Sequence, residues 1–152
     1  MAAGFSLMAD QLSPFLQFLE KQFAGTEAAY EEASALVLDA VSSPSAAGRG
    51  LVSEITLAGP YGAGNPEPLL VFPDVRVAFA DVVGGAHVKV RLAGGDGARL
   101  DGIAFRAVGT PLGEGLLKSR GRPIHVAGKL RADDWNGQAR VQLQIEDAGG
   151  SA

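Results

Sequence analysis

Apolar and polar positions follow two rhythms along this chain, helical before residue 68 and alternating after it. Within residues 10–23, Leu12, Phe15, Leu16, Leu19 and Phe23 recur at spacings of three and four, which places them on one face of an amphipathic helix. Ser13 before Pro14 offers an N-cap with proline at the first helical position, and Gly25 offers a stop, so the regular part is expected at 13–24. Residues 35–41, Ala-Leu-Val-Leu-Asp-Ala-Val, read as a short strand, with helix left open by the alanines. Residues 42–48 are turn-like, and Leu51 to Leu57 make a second short helix.

After Pro68 the period becomes two. Segments 69–80, 86–92, 98–106, 122–132 and 138–147 read as strands, with turns at Gly84-Gly85, at Gly94 to Gly97 and at Asn136-Gly137. Asn-Gly is the pair that a type I′ hairpin turn prefers. Pro111 to Lys118, between the third and fourth strands, is too short and glycine-rich for a long helix but adequate for one turn or two. Five antiparallel strands with an insertion between the third and fourth match the pattern of an OB-fold, a small sandwich being the alternative. The expected class is α+β, mainly β, with a five-stranded OB-fold barrel at 69–148 preceded by a small helical segment at 1–58.

Alternation also assigns faces. Val88, Val90 and Leu92 point inward and His87, Lys89 and Arg91 outward, so one strand presents three cationic or titratable groups in a row. In the last strand Val141, Leu143 and Ile145 point inward, while Arg140, Gln142, Gln144 and Glu146 form a polar but nearly neutral outer face. Phe72, Phe79 and Phe105 lie in apolar strand patterns and are expected in the core.

Between the two halves stands Gly59-Pro60-Tyr61-Gly62-Ala63-Gly64-Asn65-Pro66-Glu67-Pro68. Proline fixes φ and removes a donor at three of these positions, and Gly62 and Gly64 can take positive φ, so a defined turn is expected. Asn65 before Pro66 is pushed toward extended geometry. Its plain reading is a rigid connector at 59–68.

Composition bounds the function. The 152 residues are 47% hydrophobic and 20% charged, a globular balance. No apolar run approaches the roughly 20 residues of a membrane span. With no signal peptide and no cysteine, a cytoplasmic location is the default expectation. A net charge of −4 argues against nucleic acid until its distribution is considered. Residues 1–68 carry −6 and residues 69–152 carry +2, and from Gly84 to Arg131 nine basic residues face three acidic ones. That bias is either a solvated surface or an electrostatic footprint.

Catalytic constellations are missing. His87 and His125 are the only histidines, and neither lies among carboxylates at metal-ligand spacing. Asp133-Asp134 reads as a solvated hairpin end, and the glycine-rich loops lack the Lys-Ser/Thr of a P-loop. What remains is binding. OB-folds hold single strands by stacking bases on aromatic rings above a positive groove around strands two and three. On that plan Lys89 and Arg91 meet phosphates, and Arg99, Arg106, Lys129 and Arg131 extend the track. Tyr61 and Trp135 are the expected exposed rings, although Trp135 is equally suited to cover the barrel end. His87 either contacts phosphate or caps its strand.

Four blocks in register, spanning about residues 51–147, carry a family resemblance. They are Leu57 to Pro68, His87-Val88-Lys89-Val90, Leu100 to Phe105, and Trp135-Asn136-Gly137 followed by Val141 to Asp147. In order and spacing they resemble the C-terminal part of the RecJ family, single-stranded-DNA-specific exonucleases of the DHH phosphoesterase group. Met1 to Phe5 resemble the residues that follow the Gly-Gly-His motif of the DHH-associated domain, so the chain is expected to be a C-terminal piece, with 1–58 the remnant of that domain. The resemblance implies a parent that degrades single-stranded DNA from the 5′ end with Mn²⁺ or Mg²⁺ in recombination and repair. For this chain it implies no metal or cofactor of its own, and as partners single-stranded DNA, the parent's catalytic domains and repair proteins. A protein-contact role, clamping the catalytic core or docking a repair partner, is the rival reading, favoured for residues 1–68 by their acidity.

Overall fold

In the computed structural model, which describes Gly4 and residues 6–25, 35–133 and 140–150, the alternating segments form strands that close on themselves. The strands are β1 (Ala40–Val41), β2 (Leu70–Val83), β3 (His87–Ala93), β4 (Arg99–Ala104), β5 (Pro123–Asp133) and β6 (Arg140–Gly150). The sheet order is β1-β2-β3-β4-β6-β5, and β5 returns to pair with β2, so β2 to β6 form a closed five-stranded barrel. All ring neighbours are antiparallel except β4 and β6, which run parallel through Asp101↔Gln142, Gly102↔Leu143 and Ile103↔Gln144. That connectivity, with a helix between β4 and β5, is the expected OB-fold.

One long strand serves two neighbours within the barrel. The first part of β2 pairs with β5 and its second part with β3, with register shifts between Phe72 and Val75 and between Val77 and Phe79. Each bulge inserts a residue and kinks the strand, which lets a single β2 turn the corner of the barrel. Asp74, in the first bulge, has φ of 52°. In β5 a third shift falls at Ala127/Gly128, where a Cβ on Gly128 would collide with the Gln144 carbonyl oxygen. No side chain fits there.

Alternation fills the interior as expected. Phe72, Val75, Val77, Val88, Val90, Leu92, Val126 and Leu143 are essentially fully buried. Each contributes on the order of 1.5–3 kcal/mol by leaving water. The helix α3 (Pro111–Lys118) closes one part of this core with the fully buried Leu116. Pro111 starts it, and the Thr110 hydroxyl at the N-cap accepts from the Gly113 N–H at 3.3 Å. Helix and loop touch at Gly113, whose added Cβ would collide with the Ala107 carbonyl oxygen.

Phe79 and Phe105 depart from expectation. Neither is core: they are 47% and 52% exposed. The bulge between Val77 and Phe79 reverses the parity of β2, so Val77 and Ala80 point inward and Phe79 outward. Phe105 follows β4, whose inward set is Leu100, Gly102 and Ala104, so the next residue points outward.

The chain divides into two compact units, Met1–Leu36 and Val37–Ala152. In the first, a 3₁₀ turn at Ala9–Gln11 leads into α1 (Leu12–Phe23). The helix starts before the expected Ser13 cap: Gln11 occupies the N-cap and no side chain caps it. Pro14 falls in the first turn, where its missing N–H has no intrahelical partner to lose. Leu12, Leu16, Phe18 and Phe23 are exposed.

The second unit begins upstream of the expected barrel boundary. Only Ala40–Val41 of the expected strand 35–41 is a strand, added parallel to the start of β2. Helix α2 (Arg49–Leu57) packs Leu51, Val52 and Ile55 against the barrel core, so residue 58 lies inside this unit. Residues 59–68 are tied in place. Gly62 and Asn65 exchange backbone hydrogen bonds at 2.9 and 3.1 Å, and the Asn65 amide donates to the carbonyls of Ala58 and Pro60. The Tyr61 hydroxyl donates to the Ile55 carbonyl, and Glu67 pairs with Arg131 on β5. Positive φ at Gly62 and Gly64 is not used; side-chain and backbone hydrogen bonds define the turn instead.

Candidate nucleic-acid interface

The outer surface of β3 is built as the alternation requires. Lys89 stands at its centre, cross-strand from Asp81 on β2 and Ile103 on β4. Arg91 stands two residues on, opposite Phe79 and Asp101. Its Nε donates to the Asp101 carboxylate at 2.7 Å, and that hydrogen bond, then the attraction to the carboxylate charge, raises the guanidinium pKa above its usual value.

At the other end of β3, His87 props up Phe105. The two rings meet edge to face with centroids 5.2 Å apart, and His87 Nδ1 accepts the Arg106 N–H at 2.8 Å. Arg106 has φ of 53°, so this bond holds a strained turn next to the ring. His87 therefore ties the start of β3 to the turn that follows β4. On β2, the Arg120 guanidinium lies 5.8 Å from the centroid of the Phe79 ring while donating to the Ala80 carbonyl. A cation over one face stabilises an exposed ring by about 0.5–1 kcal/mol and holds its orientation. The result is two exposed aromatic rings at diagonal corners of the β2-β3-β4 face, with Lys89 between them.

The expected basic track is not uniform. Lys89 and the side chains of Arg99 and Arg106 have no carboxylate partner among the described residues. Lys129 and Arg131, expected to extend the track, lie on β5 and are paired with Glu146 at 3.4 Å and with Glu67. Tyr61 is half-buried, and its hydroxyl is committed to α2. Trp135 and the Asn136-Gly137 turn lie outside the described residues, as does Asp134. His125 Nδ1 accepts the Asp74 N–H at 3.2 Å and so serves the first β2 bulge.

Two residues missed by sequence reading, Arg49 and Arg140, join Arg91, Arg99 and Asp101 around a cleft of about 500 Å³ between α2 and the barrel. In the sequence Arg49 is only a stray charge in an acidic half. No local signal brings it to β4; the packing of α2 on the barrel does.

Among the described residues no group of three or more His, Asp or Glu side chains could hold a metal ion. No helix among them is long and apolar enough to cross a membrane.

A model of the family described as the RecJ OB domain matches residues 38–147. The chain belongs to the RecJ OB domain family. The matched span begins beside the start of the second compact unit, so the RecJ OB domain here takes in α2 and the connector as well as the barrel. The single-stranded-DNA-specific exonuclease RecJ of Bacillus subtilis is 29% identical over 102 residues, covering 64% of this chain and 12% of that protein. Among solved structures, RecJ from Thermus thermophilus in complex with Mn²⁺ is similar at TM-score 0.57 and 23% identity, over 98% of this chain and 20% of that one. Its Mg²⁺ complex is similar at TM-score 0.54 and 25% identity, over 88% and 21% of the two chains. The chain thus spans about an eighth to a fifth of the length of the relatives it matches.

Proposed function

We propose that this chain is the single-stranded-DNA-binding OB portion of a RecJ-like exonuclease that works from the 5′ end in recombination and repair, and that it hydrolyses nothing itself. The observation that carries the reading is the placement of Phe79 and Phe105 outside the barrel, on either side of Lys89. Exposing two large rings gives up burial energy, and stacked bases would return it. Base–aromatic stacking contributes about 1–3 kcal/mol per base and tolerates any sequence. Lys89 sits where a backbone phosphate would pass between two stacked bases. Of the expected contacts, Lys89, Arg91, Arg99 and Arg106 belong to this surface. His87 acts by positioning Phe105, Tyr61, Lys129 and Arg131 lie off the proposed path, and Trp135 lies outside the described residues.

The Mn²⁺ or Mg²⁺ of the parent does not fit this chain: its described carboxylates and histidines form no ligand set. The metal site belongs to the parent's catalytic domains, and the cytoplasm is the proposed location. Fluorescence anisotropy with a labelled oligothymidylate tests the reading. Phe79→Ala and Phe105→Ala are each expected to weaken binding by about tenfold with the melting temperature little changed, since neither ring is buried. Unaltered affinity in both would contradict it.

A second role is favoured by one specific observation. Leu12, Leu16, Phe18 and Phe23 leave α1 with an exposed apolar surface. For residues 1–36 we propose contact with the parent's catalytic domains or a repair partner, in line with the acidity of the first half.

A further inference from the structure

The four-arginine cleft adjoins the Phe79 corner of the ring-bearing face through Arg91. Arg49 comes from the first turn of α2, Arg91 from β3, Arg99 from β4 and Arg140 from β6, and Asp101 is the one carboxylate on its walls. The formal surplus is three positive charges around about 500 Å³ of open space. Guanidinium groups gathered at such density repel one another, and Asp101 bonds one of them, Arg91, at 2.7 Å. Arg99 has no carboxylate partner among the described residues. The planar fork of arginine suits phosphate oxygens, to which it can donate two parallel hydrogen bonds. The N-terminus of α2 adds its own partial positive charge, since Gly48 and Arg49 line the wall and no side chain caps the helix.

We infer that this cleft is a phosphate-diester site that grips the backbone of the strand where it leaves the Phe79–Phe105 face. Resting on the DNA-binding reading above, the inference adds Arg49, Arg99 and Arg140 as phosphate ligands and Asp101 as a brake. Arg91 belongs to both surfaces: it is the cross-strand partner of Phe79 and a wall of the cleft. From His87 to Arg91 is about 13 Å along β3. A strand stacked on Phe105 and Phe79 would therefore bring its next phosphates to the cleft mouth. Asp101 competes with the phosphate for Arg91, so removing its charge frees a guanidinium and subtracts a repulsion together.

Two variants in opposite directions test this with the full chain and oligothymidylate. Arg49→Gln combined with Arg99→Gln is expected to weaken binding about tenfold and to flatten the plot of log affinity against log salt by about 1.4, the contribution of two phosphate contacts to a single strand. Asp101→Asn, which keeps the side-chain size, is expected to tighten binding about threefold or more. If the double variant binds like the parent sequence, the cleft is not a phosphate site, and the same conclusion follows if Asp101→Asn leaves affinity unchanged or lowers it. Should the double variant fail to fold, the Asp101 arm decides alone. Loss of the ring effect in Phe79→Ala, with the arginine and Asp101 effects intact, would instead sink the stacking face and leave the cleft standing.

Discussion

Two outer faces of the same barrel carry similar numbers of cations and treat them in opposite ways. On the β3–β4 face Lys89 and Arg99 have no carboxylate partner among the described residues, Arg91 shares one with a cleft, and two phenylalanine rings stand in solvent. On the β5–β6 face Lys129 is matched to Glu146 and Arg131 to Glu67. A basic stretch in the sequence does not by itself mark a footprint. On the proposed reading, a binding surface is distinguished by which cations are left unneutralised and by whether an exposed ring stands beside them.

The comparison needs a rigid barrel beneath both faces, and the largest effect is expected from breaking it. Gly128→Ala forces a Cβ into the Gln144 carbonyl at the β5 bulge, where backbone cannot yield cheaply. A loss of about 3 kcal/mol is expected in urea unfolding. Gly149→Ala, on the partner strand with open space around it, is expected to leave the midpoint within about 0.5 kcal/mol. Next comes stacking. The double variant Phe79→Ala with Phe105→Ala should lower oligothymidylate affinity about a hundredfold while unfolding like the parent sequence.

Unpairing the quiet face sharpens the contrast. Glu67→Gln releases the Arg131 guanidinium on β5. If pairing is what silences that face, affinity should rise about twofold, while stability drops by about 1–2 kcal/mol, since the Glu67 side chain is only 12% exposed and its charged hydrogen bonds are replaced by neutral ones. The smallest effect is a pH dependence at the β3–β4 turn. The Asp96 carboxyl is held below the usual carboxylate range by a hydrogen bond from Ser45 and another from the Ala98 N–H. A lowered folded-state pKa means this contribution is present above the ordinary carboxylate pKa and is lost as pH falls through the lowered one. Hydrogen exchange at the Ala98 amide should be protected near neutrality and lose that protection only in acid. Protection that fails already above the ordinary carboxylate pKa would contradict it.

Much of the barrel was legible because period-two alternation survives wherever strands are regular. Val88, Val90 and Leu92 face inward and Lys89 and Arg91 outward, as their alternation requires. Alternation fails at bulges. Pro73-Asp74 within a strand pattern was the available sign that β2 does not keep its parity. Counting straight on from Val75 and Val77 sends Phe79 to the core, and it is the second bulge, between Val77 and Phe79, that turns it outward. For Phe105 the parity set by Leu100 and Ala104 already pointed outward, and the apolar run Ile103-Ala104-Phe105 hid it. Other parts could not be read locally. The ion pairs of Lys129 and Arg131 depend on which strand and which connector residue come alongside, and Arg49 reaches the cleft only because α2 packs on the barrel.

The central claim, that unneutralised cations beside exposed rings and not cations as such bind the strand, is tested most directly by comparing Lys89→Gln with Lys129→Gln in a salt titration of oligothymidylate affinity. The account predicts that Lys89→Gln flattens the slope by about 0.7, one phosphate contact on a single strand, and that Lys129→Gln leaves it unchanged. Equal slopes in the two variants, or a larger change for Lys129→Gln, would contradict it.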